Sequence, residues 1–374
     1  MKGKLKNLLL LTALSAANIC AQATASEILE NSRRAIGGKG EIAKVITLKA
    51  FADCTGPNGN YTTEIQSAQS GPLIFRQVRA GGSSYLGQVN GEIFWTQDEK
   101  SGEFTLADRR AALAWRSHDF AFLVMEIGEK FSELTPAGEE EFNGRRAWKL
   151  NGRDALGNPA ALFFDRQTKL VLGVVMRNPF ENTETIRTVF NQWKAVGALK
   201  LPAKITVTDK KGDFVLNFKE IILNRTDPKI FAVPTKVRAM NELMRLQQQA
   251  RVAHLTRDAK LLVSTFADDF TSISGGKISQ PTREASLTRL QKYLDSSTFI
   301  EWDDIRPPVI RVSDDATLGF VLVHKKVRLL AKNENGKEAE ETEIFAWIET
   351  YQKIKGEWKL VAVVSTNTPE NEQK

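Results

Sequence analysis

Histidine and cysteine are scarce in this chain, with three and two among 374 residues. His118, His254 and His324 form no HxH or HExxH pair, so the usual zinc motifs are excluded, and no metal or other cofactor is expected. Cys20 falls in the leader described below, which leaves Cys54 without an internal disulfide partner. A buried, inert thiol is its expected role, because no activating neighbour stands beside it. Long apolar runs are also missing. The run Leu8 to Leu14 falls short of the roughly 20 residues that a bilayer-spanning helix needs. No block of Lys and Arg with interleaved aromatics occurs, which removes the electrostatic footprint of a nucleic-acid binder. Gly37-Gly38-Lys39-Gly40 lacks both a preceding strand and a Ser or Thr after the lysine, so it reads as a helix stop and not as a phosphate loop.

The first positive signal is at the amino terminus. Lys2, Lys4 and Lys6 precede the apolar run, and Ala21-Gln22-Ala23 or Ala23-Thr24-Ala25 offers a small-residue cleavage site, the layout of a secretory signal peptide over residues 1–25. Export to the periplasm, or secretion, is expected, with the mature chain starting near Thr24 or Ser26. Ile19 before Cys20 speaks against lipidation there. Three of the seven net positive charges belong to this leader; residues 26–237 hold 29 basic and 25 acidic groups and residues 238–374 hold 20 of each, so the remaining +4 lies before Arg238.

A chain of this length suits two cores better than one. The joint is expected at Asn224 to Lys236, whose Pro228 and Pro234 fit neither a strand interior nor a helix interior. Before it, after a helix from Glu27 to Ile36 with Ser26 as N-cap, come short alternating runs such as Thr47 to Cys54, Tyr61 to Ala68, Leu73 to Arg79 and Tyr85 to Val89. Asn90-Gly91 predicts a type I′ hairpin, with further turns at Asn143-Gly144 and Lys211-Gly212. A helical stretch from Leu106 to Ile127 interrupts the strands. Tight turns between consecutive strands require antiparallel pairing, hence one large curved sheet with helices against one face. Phe51, Phe75, Trp95, Trp148, Phe164 and Phe190 are candidates to line a hydrophobic cavity inside it, although core filling is the commoner fate of a strand aromatic.

Several segments carry a resemblance to a known family. Ala35-Ile36-Gly37-Gly38-Lys39-Gly40 followed by Ile46-Thr47-Leu48-Lys49, then Arg145 to Leu150, Ala161 to Leu170, Trp193 with Leu201 to Ile205, and Phe231-Ala232-Val233-Pro234, resemble periplasmic lipoprotein-sorting proteins of the LolA, LolB and RseB-like type. The resemblance implies an eleven-stranded unclosed barrel with an apolar cavity for acyl chains or other hydrophobic ligands.

After the joint the pattern turns helical from Val237 to Thr256, with Asp258 capping a second helix and Pro281 in the first turn of a third, Thr282 to Leu294. Strand runs finish the chain: Thr298 to Ile305, Thr317 to Leu330, Glu343 to Lys353 and Trp358 to Ser365. Leu255 to Asp258, Thr265 to Phe270, Ser274 to Lys277 and Gly356 to Leu360 resemble the SnoaL-like cone of the nuclear transport factor superfamily, which implies a pocket between sheet and helices. Alternation places Phe320, Leu322 and His324 on one strand face, and Phe345, Trp347, Glu349 and Tyr351 on one face of the next. If those faces coincide, His324 and Glu349 form a base with an orienting carboxylate, and Trp347 and Tyr351 line the pocket; the plainer outcome is a partly polar sheet face. His254 is expected to be a buried helix residue and not a ligand.

The fold class that follows is α+β: an open antiparallel β half-barrel with helices over residues 26–233, then an α+β cone over 234–374. The expected function is an exported envelope protein that binds a hydrophobic small molecule or lipid in the half-barrel and no nucleic acid. The cone would serve as an interaction or dimerisation module, meeting an envelope protein or a second copy. Two alternatives stay open: an enzyme of isomerase, cyclase or dehydratase type in the cone pocket, and an envelope sensor or scaffold.

Overall fold

The computed structural model describes residues 23–107, 109–116, 119–178, 184–332 and 337–365. The leader up to residue 22, His118, and the Asn335-Gly336 turn that the sequence suggests lie outside the described residues. Among the described residues no helix is long and apolar enough to cross a membrane.

The first sheet has thirteen strands and grows outwards from its middle. Thr47–Gly56 pairs on one side with Gly59–Ala68 and on the other with Gly212–Leu223, the last strand of this sheet in the chain. From this centre the strands follow sequence order to an edge at Phe104–Leu106 and reverse order to an edge at Ser132–Phe142. These edges do not pair with each other, so the half-barrel stays open, with thirteen strands in place of the eleven that the resemblance implies. Alternation along Thr47–Gly56 buries Ala50, Ala52 and Cys54 on the inner face. Helices Ala25–Ile36, Phe120–Met125 and Ile127–Lys130 cover that face, burying Ile28, Ile36, Phe122 and Leu123 against Leu150, Leu162, Phe164 and Phe190.

Local chemistry shifts several boundaries from their expected places. The first helix is capped by Thr24 and not by Ser26: its hydroxyl accepts from the Glu27 amide at 3.2 Å, and the Glu27 carboxylate accepts from the Thr24 amide at 2.8 Å, a reciprocal box worth about 1 kcal/mol. Gly37 ends it at φ 150°, where an added Cβ would stand 2.6 Å from the Leu199 side chain. The expected single helix from Leu106 to Ile127 is instead an edge strand and three short helices, Arg109–Arg116, Phe120–Met125 and Ile127–Lys130, because Asp119 caps a new start by accepting from the Phe122 amide at 3.4 Å. The hairpin expected around Asn90-Gly91 turns one residue later. Asn90 pairs with Ile93, and of the two turn residues only Gly91 has positive φ, so no type I′ turn forms. That turn chemistry is present at Asn143-Gly144 (φ 54° and 73°) and at Lys355-Gly356 (φ 53° and 86°).

The second sheet takes Phe266–Ser274, Lys277–Ser279, Ser297–Asp304, Val309–Val312, Leu318–Lys332, Glu338–Ile354 and Glu357–Ser365, with helices Thr235–Thr256, Ala259–Val263 and Arg283–Asp295 on one face. Pro281 precedes the third helix, whose N-cap is Thr282. Phe266–Ser274 runs parallel to Glu357–Ser365, a pairing of strands far apart in sequence that local turn signals do not announce.

The joint between the sheets is ordered. Asn224, at φ 56°, ties the first sheet shut by accepting from the Ile46 and Thr47 amides (2.8 and 3.2 Å) and donating to the Lys44 carbonyl at 2.8 Å. Pro228 opens the 3-10 turn Pro228–Phe231, Asn90 donates to the Phe231 carbonyl at 2.8 Å, and the long helix starts at Thr235, directly after Pro234. Phe104 and Leu106, on the edge strand of the first sheet, pack against the core of the second beside Leu243 and Val321, and Arg311 pairs with Glu103 at 3.3 Å.

Candidate functional site

Two cavities remain where packing leaves space. The first, about 380 Å³, lies on the inner face of the first sheet beside Trp115 and Phe120. Its depth can be read from the strand register: Tyr61 faces Arg79, Thr63 faces Gln77, and Ile65 faces Phe75. Along these two strands a charged end (Arg79, with Asp209 and Lys211 beside it) gives way to polar Thr63 and Gln77 and then to apolar Ile65, Phe75 and Leu73, while Ile186, Val207, Phe214 and Leu216 form an apolar side wall. Neither Arg79 nor Lys211 has an ion-pair partner among the described residues, while Asp209 accepts from the Lys211 amide at 2.7 Å. The Thr63 hydroxyl is buried, lines the cavity and has no hydrogen-bond partner among the described residues. Phe75 stacks on Trp115 with ring centres 4.0 Å apart. Burial pushes the Tyr61 phenol, and the Cys54 thiol next to it, up to about 12, so Cys54 is inert as expected.

Of the six aromatics expected to line this cavity, Phe75 does. Phe164 and Phe190 instead fill the core beneath the helices, fully buried. Trp148 packs at the edge of that core under Arg166 and Lys169, whose charges lie 5.6 and 4.2 Å from its ring centre. Phe51 points to the outer face, with the Lys49 ammonium 4.9 Å from its ring. Trp95 is buried opposite Leu106, on the face that meets the second core. Which face each aromatic takes depends on strand parity after bulges and turns. Arg79, Lys211, Thr63 and Trp115 were missed; the parity of Tyr61 to Ala68 against Leu73 to Arg79 was the available signal.

The second cavity, about 480 Å³, lies between the second sheet and its helices. Phe345, Trp347, Glu349 and Tyr351 line it together, in line with their alternation. Glu349 is buried at its floor and held by three neutral donors: the Trp347 indole N–H at 2.7 Å, the Tyr351 hydroxyl at 2.8 Å and the Gln247 amide. No cationic side chain pairs with it among the described residues. Burial first, then the neighbouring carboxylate, raises the Tyr351 phenol well above its ordinary value.

His324 is not in this cavity, which corrects the expected dyad. Val321 pairs with Glu349 and Val323 with Trp347, so the buried valines share the carboxylate's face, whereas His324 pairs with Ala346 on the opposite, outer face. The histidine that does line the cavity is His254. It lies flat on Trp302, with ring centres 3.6 Å apart, and its Nδ1 stands 2.7 Å from the Ala250 carbonyl, which only a protonated Nδ1 can satisfy. Nε2 is then an acceptor. Burial pushes the imidazole down to about 4, so it is neutral near pH 7. Among the described residues no group of three or more His, Cys, Asp or Glu is placed to hold a metal ion.

No protein-family model matches the chain, and neither does any curated protein sequence. Solved structures similar to its first part include a LolA superfamily protein from Nitrosomonas europaea (12% identity, 56% of this chain and 98% of that one, TM-score 0.42). A DUF1329 family protein from Desulfovibrio piger covers a comparable share (11% identity, 55% of this chain and 96% of that one, TM-score 0.38). A shorter region is similar to an NTF2-like protein from Rhodospirillum rubrum (21% identity, 33% of this chain and 96% of that one, TM-score 0.27). At these identities and TM-scores the similarities concern fold, and no ligand or mechanism is carried over from them.

Proposed function

We propose that the protein is an exported carrier for a single-chain amphipathic lipid, held in the cavity of the half-barrel over residues 26–233, with residues 234–374 as a second, docked domain. The leader supports export. The observation that carries the reading is the gradient of the first cavity, from Arg79 and Lys211, which have no ion-pair partner among the described residues, through Thr63 and Gln77 to Phe75 and Leu73. An acyl chain at that apolar end gains about 0.8 kcal/mol per buried methylene, and a carboxylate or phosphate head at the charged end meets two cations. The apolar row of exposed Val309, Leu322 and Val364 with half-buried Ile348 between them, across four paired strands of the second sheet, suits contact with a second copy or an envelope protein. His324 faces away from the pocket, so it does not serve there as a base.

Isothermal titration of delipidated protein with dodecanoate tests the carrier function. Uptake is expected, and replacing Arg79 and Lys211 together by Ala should weaken it about tenfold, equivalent to about 1.4 kcal/mol. No uptake of dodecanoate or of its methyl ester, together with no lipid co-purifying with the protein, would refute the reading.

A further inference from the structure

Glu349 is a buried carboxylate that faces a cavity and has no counter-charge among the described residues. Two other buried charges are paired, Asp165 with Arg145 at 2.6 Å and Lys325 with Asp304 at 2.7 Å, while buried Asp119 and Asp154 are held by backbone amides and face no such cavity wall of aromatics. Glu349 is met only by Trp347, Tyr351 and Gln247, all neutral. These three donors fix the direction of the carboxylate without supplying a counter-charge. The space in front of it is walled by Trp302, Trp347, Phe345, Phe266 and Phe270, whose ring faces attract cations. The other polar group buried in that wall, His254 Nε2, is an acceptor as well, and Arg289 lies out at the exposed mouth. Floor and wall therefore ask for a ligand that donates hydrogen bonds, carries positive charge and has an apolar body.

We propose that this second cavity is a binding site for a lipophilic amine in its ammonium form, its N–H groups directed to Glu349 and its apolar body against Trp302 and Trp347. The site is separate from the lipid cavity in residues and in charge preference. A fatty acid would bring its carboxylate towards an unpaired carboxylate, so each cavity rejects the other's ligand.

The test is calorimetric titration of the full-length mature protein with matched pairs, 2-phenylethylamine against 2-phenylethanol and cyclohexylmethylamine against cyclohexylmethanol. These differ in charge while keeping nearly the same body. Each amine is expected to bind at least tenfold more tightly than its alcohol, with unchanged affinity when the first cavity is saturated with dodecanoate. Glu349→Gln is expected to abolish that discrimination while retaining alcohol binding. Equal affinities for amine and alcohol in the unmodified protein would overturn the proposal without recourse to a variant. So would an amine preference that survives Glu349→Gln, or competition between amine and dodecanoate for one site. Failure of dodecanoate to bind would count against the carrier reading alone.

Discussion

Asp119 offers a sharp test of how the half-barrel is held. It is buried beside Ser67 at the start of helix Phe120–Met125, where its Oδ1 accepts from the Phe122 amide at 3.4 Å. Burial pushes its carboxyl up from 3.8 to about 7, against the opposing pull of Lys130 and of the Phe122 amide. The folded protein therefore keeps a proton on Asp119 over a pH range in which the unfolded chain has lost it. Stability from this group is full below pH ~4 and falls as pH rises towards 7, at about 1.36 kcal/mol per pH unit. Across the whole span from 3.8 to about 7 the loss is about 4 kcal/mol, a large share of the stability of an ordinary domain. Asp119→Asn keeps an acceptor for the Phe122 amide and removes the titration. Urea unfolding at pH 5 and pH 8, read out by hydrogen exchange of the Phe122 to Met125 amides, isolates this region from the second sheet. The parent should lose protection between the two pH values, and the Asn variant should not, becoming the more stable of the two at pH 8. Equal pH slopes in parent and variant would refute the burial argument. Phe120, the next residue, lines the first cavity, so dodecanoate uptake should follow the same pH trend if that helix is loosened.

Two further outcomes follow from single contacts. A Cβ at Gly87 would stand 2.2 Å from the Phe75 ring, so Gly87→Ala should push that ring off Trp115 at a cost of about 1–3 kcal/mol; weaker dodecanoate uptake in titration, with the sheet intact by circular dichroism, is the expected result. The His254 imidazole, depressed from 6.5 to about 4, contributes stability that is present above pH 6.5 and lost as pH falls through 4, about 3 kcal/mol over the span. Nitrogen NMR should show a neutral ring with the proton on Nδ1 at pH 5, and a ring already charged there would contradict its burial against Trp302.

Much of the architecture was legible in the residues alone. Alternating runs and tight turns determined an antiparallel sheet, the change from a period of two to 3.6 announced the long helix Thr235–Thr256, and Asp258 marked the cap of helix Ala259–Val263, because each of these depends on neighbours a few positions apart. The lone Cys54 was likewise settled by composition. Tertiary structure decided the sites. A strand residue faces core or solvent by parity, and one shifted turn or bulge reverses it, so Phe51 and Trp95 left the cavity and His324 separated from Glu349. Arg79, at the end of a strand, and Lys211, in the turn between Leu199–Asp209 and Gly212–Leu223, are distant in the chain and line one cavity only because Thr47–Gly56 pairs with both the second and the last strand of its sheet. His254 became a cavity residue because its helix crosses the second sheet over Trp302, whose position in the sequence, 48 residues on, gives no sign of that contact. Short-range chemistry determined which elements form; which side chains share a space was decided by the long-range pairings that no local pattern encodes.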